Sequence, residues 1–299
     1  NHTRITNIKD LNKIKGSKYA QSNLGKTFQQ VQKDLQNKKQ VLFPGTPCQV
    51  LGLKKYLQKN YDNLYTVSVI CHGVINDDLL KKRITEFEKQ YDTKMLEVKY
   101  RSKINGWDKS TIEFNSKRIR KAFPFTEDAL MDLYINNYIL RESCYQCPAK
   151  GLDNNVADII LGDYWGIYHV HRNLFDNLGV SAMILRTSKG KKLYHKVEKH
   201  LISQPTDIEE ITKYNPSLVT SMERPNIRNT IFNDIENNEL SLLSKLCQYK
   251  SQAEDKSELQ RLTSQNIELN EKLNQIYNSK RFKMVDKLGN MMNKIRRKN

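Results

Sequence analysis

A chain of 299 residues with five cysteines and a formal charge of +17 is long enough to bury its own core, so no disulfide framework is needed, and an odd thiol count in a long chain points to a reducing compartment. No apolar run approaches the roughly 18 residues of a membrane-spanning helix. The opening "NHTRITNIKD" has no apolar signal core and no initiator Met, which reads as a fragment or a processed product. A basic balance suits nucleic acid, anionic lipid or an anionic substrate. Aromatics do not interleave with the cations as a single-strand binder requires, so no nucleic-acid partner is expected.

In chain order, residues 25–40 place Phe28, Val31 and Leu35 at helical spacing. "VLF" at 41–43 reads as a short buried strand, "PGTPC" as a tight loop and "QVLGLKKYLQKN" at 49–60 as a second helix. A strand at 64–70 runs into "CHG", and a helix over 75–91 puts Leu80, Ile84 and Phe87 on one face. This alternation predicts parallel α/β packing. Residues 95–103 and 110–116 then read as strands of a small antiparallel insert around "NGW". A helix over 126–140 carries Glu127 and Asp128 in its first turn. "ADIILGDYWG" at 157–166 is a strand entering a Gly-bounded loop, and 180–201 is a buried strand followed by a helix. The expected fold class is α/β, a mostly parallel sheet core with a small antiparallel insert, followed by a helical coiled-coil-like tail.

The domain reading is a core over 1–235, a linker over 236–250, a short coiled coil over 251–279 and a basic amphipathic tail over 280–299. Leu259, Leu262, Asn266, Leu269, Leu273 and Ile276 are spaced 3-4-3-4-3, a heptad seam with one Asn inside it. It reads either as a homo-oligomer contact through 259–276 or as an amphipathic helix docked on its own domain. Residues 280–299 carry eight Lys and Arg against Asp286, with Phe282, Val285, Leu288, Met292 and Ile295 on one side. That pattern lies on an anionic membrane surface or forms a solvated tail. The localisation expected is cytoplasmic, with a peripheral position at the inner face of the membrane if the tail docks there.

Cys144 and Cys147 stand two residues apart. A thioredoxin-type pair sits at a helix N-terminus just after a strand, whereas this one follows a helical segment and precedes a Gly-Leu-Asp loop. A structural zinc site usually recruits two close pairs, and no second close pair exists. Cys48, however, is expected in the loop leaving one strand, and Cys71 ends another. In an open parallel sheet, ligands bind beyond the carboxyl ends of the strands. Four thiolates there suit an iron–sulfur cluster or a zinc ion; the alternative is that Cys48 and Cys71 are small buried hydrophobes. Cys247 matches no pattern and reads as a spare thiol.

"VLFPGTPCQVLGLKKYL", "TVSVICHGV" and "SCYQCPAKGLDNNVADIILGDYWGI", in that order, resemble the coenzyme F-420 hydrogenase/dehydrogenase beta-subunit family. "LNKIKGSKYAQSNLG", "GVSAMILRTSKGKKLY" and "ITKYNPSL" extend the likeness over roughly 4–235. The resemblance implies an iron–sulfur flavoprotein that passes electrons between a cluster, FAD and a soluble carrier or organic substrate. It implies that Cys48 of "GTPC", Cys71 of "CHG", and Cys144 and Cys147 hold a 4Fe–4S cluster. Family members normally begin with a further segment that contributes to the flavin site, and many bacterial ones add a ferredoxin-like module; neither is in this sequence. The implied partner is therefore an electron-donor protein or a ferredoxin-like segment supplied from elsewhere. The ending "LNEKLNQIYNSKRFKMVDKLGNMMNKI" is similar to those of glycosyltransferases of capsule and exopolysaccharide pathways, which suggests a surface-polysaccharide setting.

On that resemblance, Gly16, Ser17, Lys18 and Tyr19 of the "GSKY" turn, with Gly45 and Thr46, are the expected flavin contacts; the alternative for "GSKY" is a helix-ending turn. His72, His169 and His171 are weighed as acids, ligands or substrate-mouth residues against ordinary loop histidines. Trp165 is weighed as a flavin-stacking ring against core packing, and Asp163 as a hydrogen-bond acceptor near the cluster loop. The leading function is an iron–sulfur flavin oxidoreductase. The alternatives are a zinc- or cluster-stabilised non-catalytic accessory protein of polysaccharide assembly, and a cofactor-free remnant of a split gene.

Overall fold

The computed structural model describes residues 1–237 and, beyond them, Gln265, Leu269, Lys272 and Leu273, which are helical. The chain divides into two compact units, Asn1–Leu246 and Cys247–Asn299. Apart from the end of the first unit's last described helix and those four residues, the expected linker, heptad seam and basic tail lie outside the described residues, as does Cys247.

Helix α1 (Thr27–Gln36) buries Val31 and Leu35, four residues apart on one face. Strand β1 (Val41–Gly45) follows. Helix α2 (Pro47–Leu57) begins with Thr46 as N-cap, Pro47 in its first turn and Gln49 reaching back to the Thr46 N–H at 3.0 Å. It ends where Gln58 turns left-handed, at φ 55°. Val50, Leu53 and Leu57 face Val31, Leu35 and Phe43, so that two helices and a strand share one apolar cluster. Strand β2 (Leu64–Val69) buries Leu64, Thr66 and Ser68. Its polar residues are matched: Asp158 accepts from the Thr66 N–H and hydroxyl, both at 2.8 Å, and Ser68 meets Asn155 at 3.1 Å. Helix α3 (Asp77–Gln90) starts on Asn76, whose side chain accepts from the Asp78 N–H at 3.0 Å.

The insert has three strands rather than two: β3 (Met95–Ser102), β4 (Thr111–Ser116) and β5 (Arg120–Pro124), antiparallel in the order β3-β4-β5. The third strand takes up the end of the basic stretch 116–123, and its Arg120 and Lys121 stay exposed along the edge. Cations on an edge strand discourage further pairing. Helix α4 (Ala129–Ile135) is shorter than the 126–140 expected. Asp128 caps it by accepting from the Met131 N–H at 3.0 Å, and Asn137, at φ 69°, takes the left-handed conformation that stops it. Asp128 also pairs with Arg83 of α3 at 3.3 Å, both side chains almost fully buried, with the guanidinium over the Phe87 and Phe114 rings.

The chain then returns as β6 (Ile159–Asp163), α5 (Ile167–Val170), β7 (Ser181–Leu185), α6 (Ser188–Val197), α7 (Ile208–Tyr214) and α8 (Arg228–Asn237). The main sheet runs β1-β2-β6-β7. β1, β2 and β6 are parallel and β7 is antiparallel to β6, giving the expected mixed α/β class. The carboxyl ends of the three parallel strands point the same way, and the loops leaving them build the site. Among the described residues, no helix is long and apolar enough to cross a membrane.

Candidate functional site

Cys48 does not lie in a loop, as the "PGTPC" turn signal suggests, but in the first turn of α2. Pro47 fixes the backbone angle that a first helical residue needs, so the helix starts directly from the strand. The N-terminal turn of a helix favours negative charge. The Thr46 hydroxyl lies 3.1 Å from the Cys48 sulfur.

Cys71 follows β2 by two residues, and the chain then turns at Gly73, where φ is +151°. A Cβ there would meet Leu140 Cδ1 at 3.0 Å and the Cys144 Cβ at 3.4 Å. Only glycine lets this loop close so tightly on the Cys144 segment. Backbone bonds lace the two together: Arg141 N–H to the Val74 carbonyl at 2.9 Å, and Asn76 N–H to the Ile139 carbonyl at 3.2 Å. Cys144 ends a 3-10 turn, Glu142–Cys144. The Cys147 N–H donates to the Ser221 hydroxyl at 3.1 Å.

The four thiols are electrostatic neighbours. The adjacent Cys147 thiol, hydrogen-bonded to Cys48, draws the Cys48 thiol down to about 6, and Cys147 is correspondingly pushed up. Burial raises Cys71 to about 11 and moves Cys144 upward as well. A backbone N–H favours the charged form of every one: Gln49 for Cys48, Gly73 for Cys71, Val74 for Cys144 and Ala149 for Cys147. Lys150, to which the sequence reading gives no role, is buried beside them and lies within electrostatic reach of all four. Among the described residues, no three His, Cys, Asp or Glu side chains converge as the ligands of a single ion would. Thiols raised by burial ionise only against a strong positive charge, so the donor set is suited to a group that brings its own.

Gly16, Ser17, Lys18, Tyr19, Gly45 and Thr46 all line one cleft of about 1660 Å³, and Cys71 and His72 reach its wall. Lys18 does not point its ammonium freely into that space. It donates to the carbonyls of Ile14, Lys15 and Gly16 at 3.0, 2.8 and 3.1 Å, closing the turn at the end of a short 3-10 helix. Tyr19 packs edge-on to Tyr100 and Phe125 and tilted against Tyr134. Trp165 and Asp163 line the cleft as well. Trp165 stacks on Trp107 at 4.9 Å, with Arg101 4.7 Å from its ring centre. Asp163 accepts from the Trp107 ring N–H at 2.9 Å and pairs with Arg101 at 3.2 Å. Asp163 thus ties the insert to the end of β6 rather than serving the cysteine loops. His72 packs edge-on to Tyr134. His169 and His171 do not line the cleft; His169 stacks on Tyr214 and His171 meets Gln204.

The family model for the C-terminal part of the coenzyme F420 hydrogenase/dehydrogenase beta subunit matches residues 38–211, more than half of the chain and all four of these cysteines. No curated protein matches the chain.

Proposed function

The chain belongs to the coenzyme F420 hydrogenase/dehydrogenase beta-subunit family, a family of redox-enzyme subunits, and from that premise we propose that it is an iron–sulfur flavin oxidoreductase. In this reading Cys48, Cys71, Cys144 and Cys147 hold a 4Fe–4S cluster, and the adjoining cleft takes the flavin. The observation that carries it is the set of four thiols, each served by a backbone N–H and all within electrostatic reach of one buried ammonium. N–H groups aimed at sulfur are the means by which a protein stabilises a thiolate-bound cluster. A zinc ion needs its sulfurs converging on one point, about 2.3 Å from each. Among the described residues, no three such side chains converge in that way.

When bound, such a cluster supplies single electrons and a flavin couples them to hydride chemistry. The protein's own part is placement. Thr46 and the first turn of α2 hold charge on Cys48, and Gly73 brings the Cys71 loop against Cys144. Trp165, backed by Trp107 and Arg101, offers a flat wall in the cleft for a planar ring. At about 1660 Å³ the cleft exceeds the roughly 300–1,000 Å³ of a common ligand pocket, leaving room for a second reactant. The partner in this reading is an electron-donor protein or a ferredoxin-like segment.

The test is a visible spectrum with iron and sulfide assays on protein purified without oxygen. A broad absorption with about four irons per chain is the expected result, and flavin bands extend it. A colourless protein that carries zinc, or no metal after anaerobic reconstitution, overturns the proposal.

A further inference from the structure

Lys150 lies inside the "SCYQCPAKGL" stretch, but the resemblance assigns it no role. It is only 8% exposed, and a buried lysine is costly unless its charge is matched. Its ammonium donates to the Cys71 carbonyl and to the Ser217 carbonyl, the latter at 2.6 Å. Its own N–H donates to the Cys147 carbonyl at 3.2 Å. Lys150 therefore joins three loops, those of Cys71, Cys147 and Ser217. An ammonium has three N–H donors, and carbonyls take two. Among the described residues, no carboxylate pairs with it. The groups within its electrostatic reach are the sulfurs of Cys71, Cys147, Cys144 and Cys48. Among the other cations here, Arg141 acts on Cys144 and turns its side chain to Gln21.

We propose that Lys150 is the charge-compensating residue of the cysteine site, a fixed internal cation that sets the reduction potential of the group the four thiolates bind. This rests on the cluster reading above. Reduction of a thiolate-bound cluster adds one electron and one unit of negative charge, with no bond broken. A fixed cation nearby stabilises the reduced form more than the oxidised one. Lys150 therefore holds the potential higher than the four thiolates alone would set it. A purely architectural lysine, holding two carbonyls together, would move stability and not potential.

The experiment is an anaerobic potentiometric titration of the reconstituted full chain, followed by visible absorption and electron paramagnetic resonance. Lys150→Met removes the charge, Lys150→Arg keeps it, and Lys150→Gln keeps N–H donors without charge. Lys54→Met is the control, because Lys54 is a partly buried lysine bonded to the Val156 carbonyl, whose charged neighbours are Asp158 and Lys189. The Met and Gln variants are expected to shift the couple to more negative potential by at least tenfold in the equilibrium constant, about 59 mV for one electron. The Arg and Lys54 variants are expected to hold the wild-type value. Unshifted Met or Gln variants carrying a full cluster overturn the role of Lys150 and leave the cluster intact as a finding. If neither neutral variant folds, a fall in the potential of the Arg variant overturns it. Wild-type protein that loads no iron and sulfide overturns the cluster reading itself.

Discussion

Glu113 in the antiparallel insert and Lys150 among the cysteine loops are both charged groups withdrawn from water, yet their surroundings differ. Glu113 accepts from Arg120 at 2.9 Å, Ser102 at 2.9 Å, Asn115 at 2.8 Å and Lys99 at 3.3 Å. Burial would raise its carboxyl, but Arg120, Asn115, Ser102 and Lys99 outweigh that and hold it at about 2. Its charge is matched inside the fold. Lys150 has two carbonyls and four sulfurs, and its charge is matched only when sulfurs ionise. A charge balanced by its own chain is architecture. In the proposed reading, a charge balanced by the thiolates of the site belongs to the chemistry.

Four measurements put that contrast at risk. The largest effect lies on the thiol side. Cys144→Ser or Cys147→Ser is expected to abolish bound iron and sulfide, from about four irons per chain to a background level, with far-ultraviolet circular dichroism unchanged. Retention of a full complement in both variants would sink the ligand assignment. Next is the insert's junction with α3. Asp128→Ala strands Arg83 in the interior and removes the α4 cap, so urea denaturation should show a loss of about 3–5 kcal/mol. The folded fraction of that variant should still load iron; a loss of loading would mean that the two regions are not independent.

Glu113→Gln is expected to cost less, about 1–3 kcal/mol, and to change the acid limb of the stability curve. The folded carboxyl lies near 2 against an ordinary 4.5. Its contribution is complete above 4.5 and is lost as pH falls toward 2. Tm followed downward from neutral pH should fall more steeply in the wild type than in the Gln variant; parallel curves would refute the assignment. The smallest effect is expected for Thr46→Ala, about 1 kcal/mol for a lost helix cap, with Thr46→Ser restoring it. Because the hydroxyl sits 3.1 Å from the Cys48 sulfur, thiol alkylation by a neutral reagent should also slow at mildly acidic pH in the Ala variant alone.

The sequence carries the alternation of strands and helices and the placement of Cys71 beyond its strand, because hydrophobic spacing is a local signal. It also carries the start of α2: Thr, Pro and Gln at 46, 47 and 49 are a cap, a first-turn proline and a capping-box partner. That signal is outweighed by the neighbouring Pro-Gly, which reads as a turn and puts Cys48 in a loop. Strand β5 is masked by its own charges, which are tolerated because it lies at a sheet edge. Asp163 reads as serving the cysteines, but its partners Arg101 and Trp107 come from the insert, and no local pattern announces them. Lys150 is invisible for the same reason: a lysine in a loop is ordinarily solvated, and its burial depends on carbonyls 79 and 67 residues away in sequence.

The position of β6 beside β2 sets when the cysteines can meet. Asp158, next to β6, bonds to Thr66 across 92 residues, and everything in the insert lies within that span. Contacts of such long sequence separation form late and slowly, and synthesis delivers the N-terminal half first. Cys48 and Cys71 therefore wait on the ribosome for the insert to fold and the return strand to dock. In the proposed cluster reading, metal delivery follows that docking, which makes the time of arrival of β6, rather than the supply of thiols, the step that an assembly pathway has to respect.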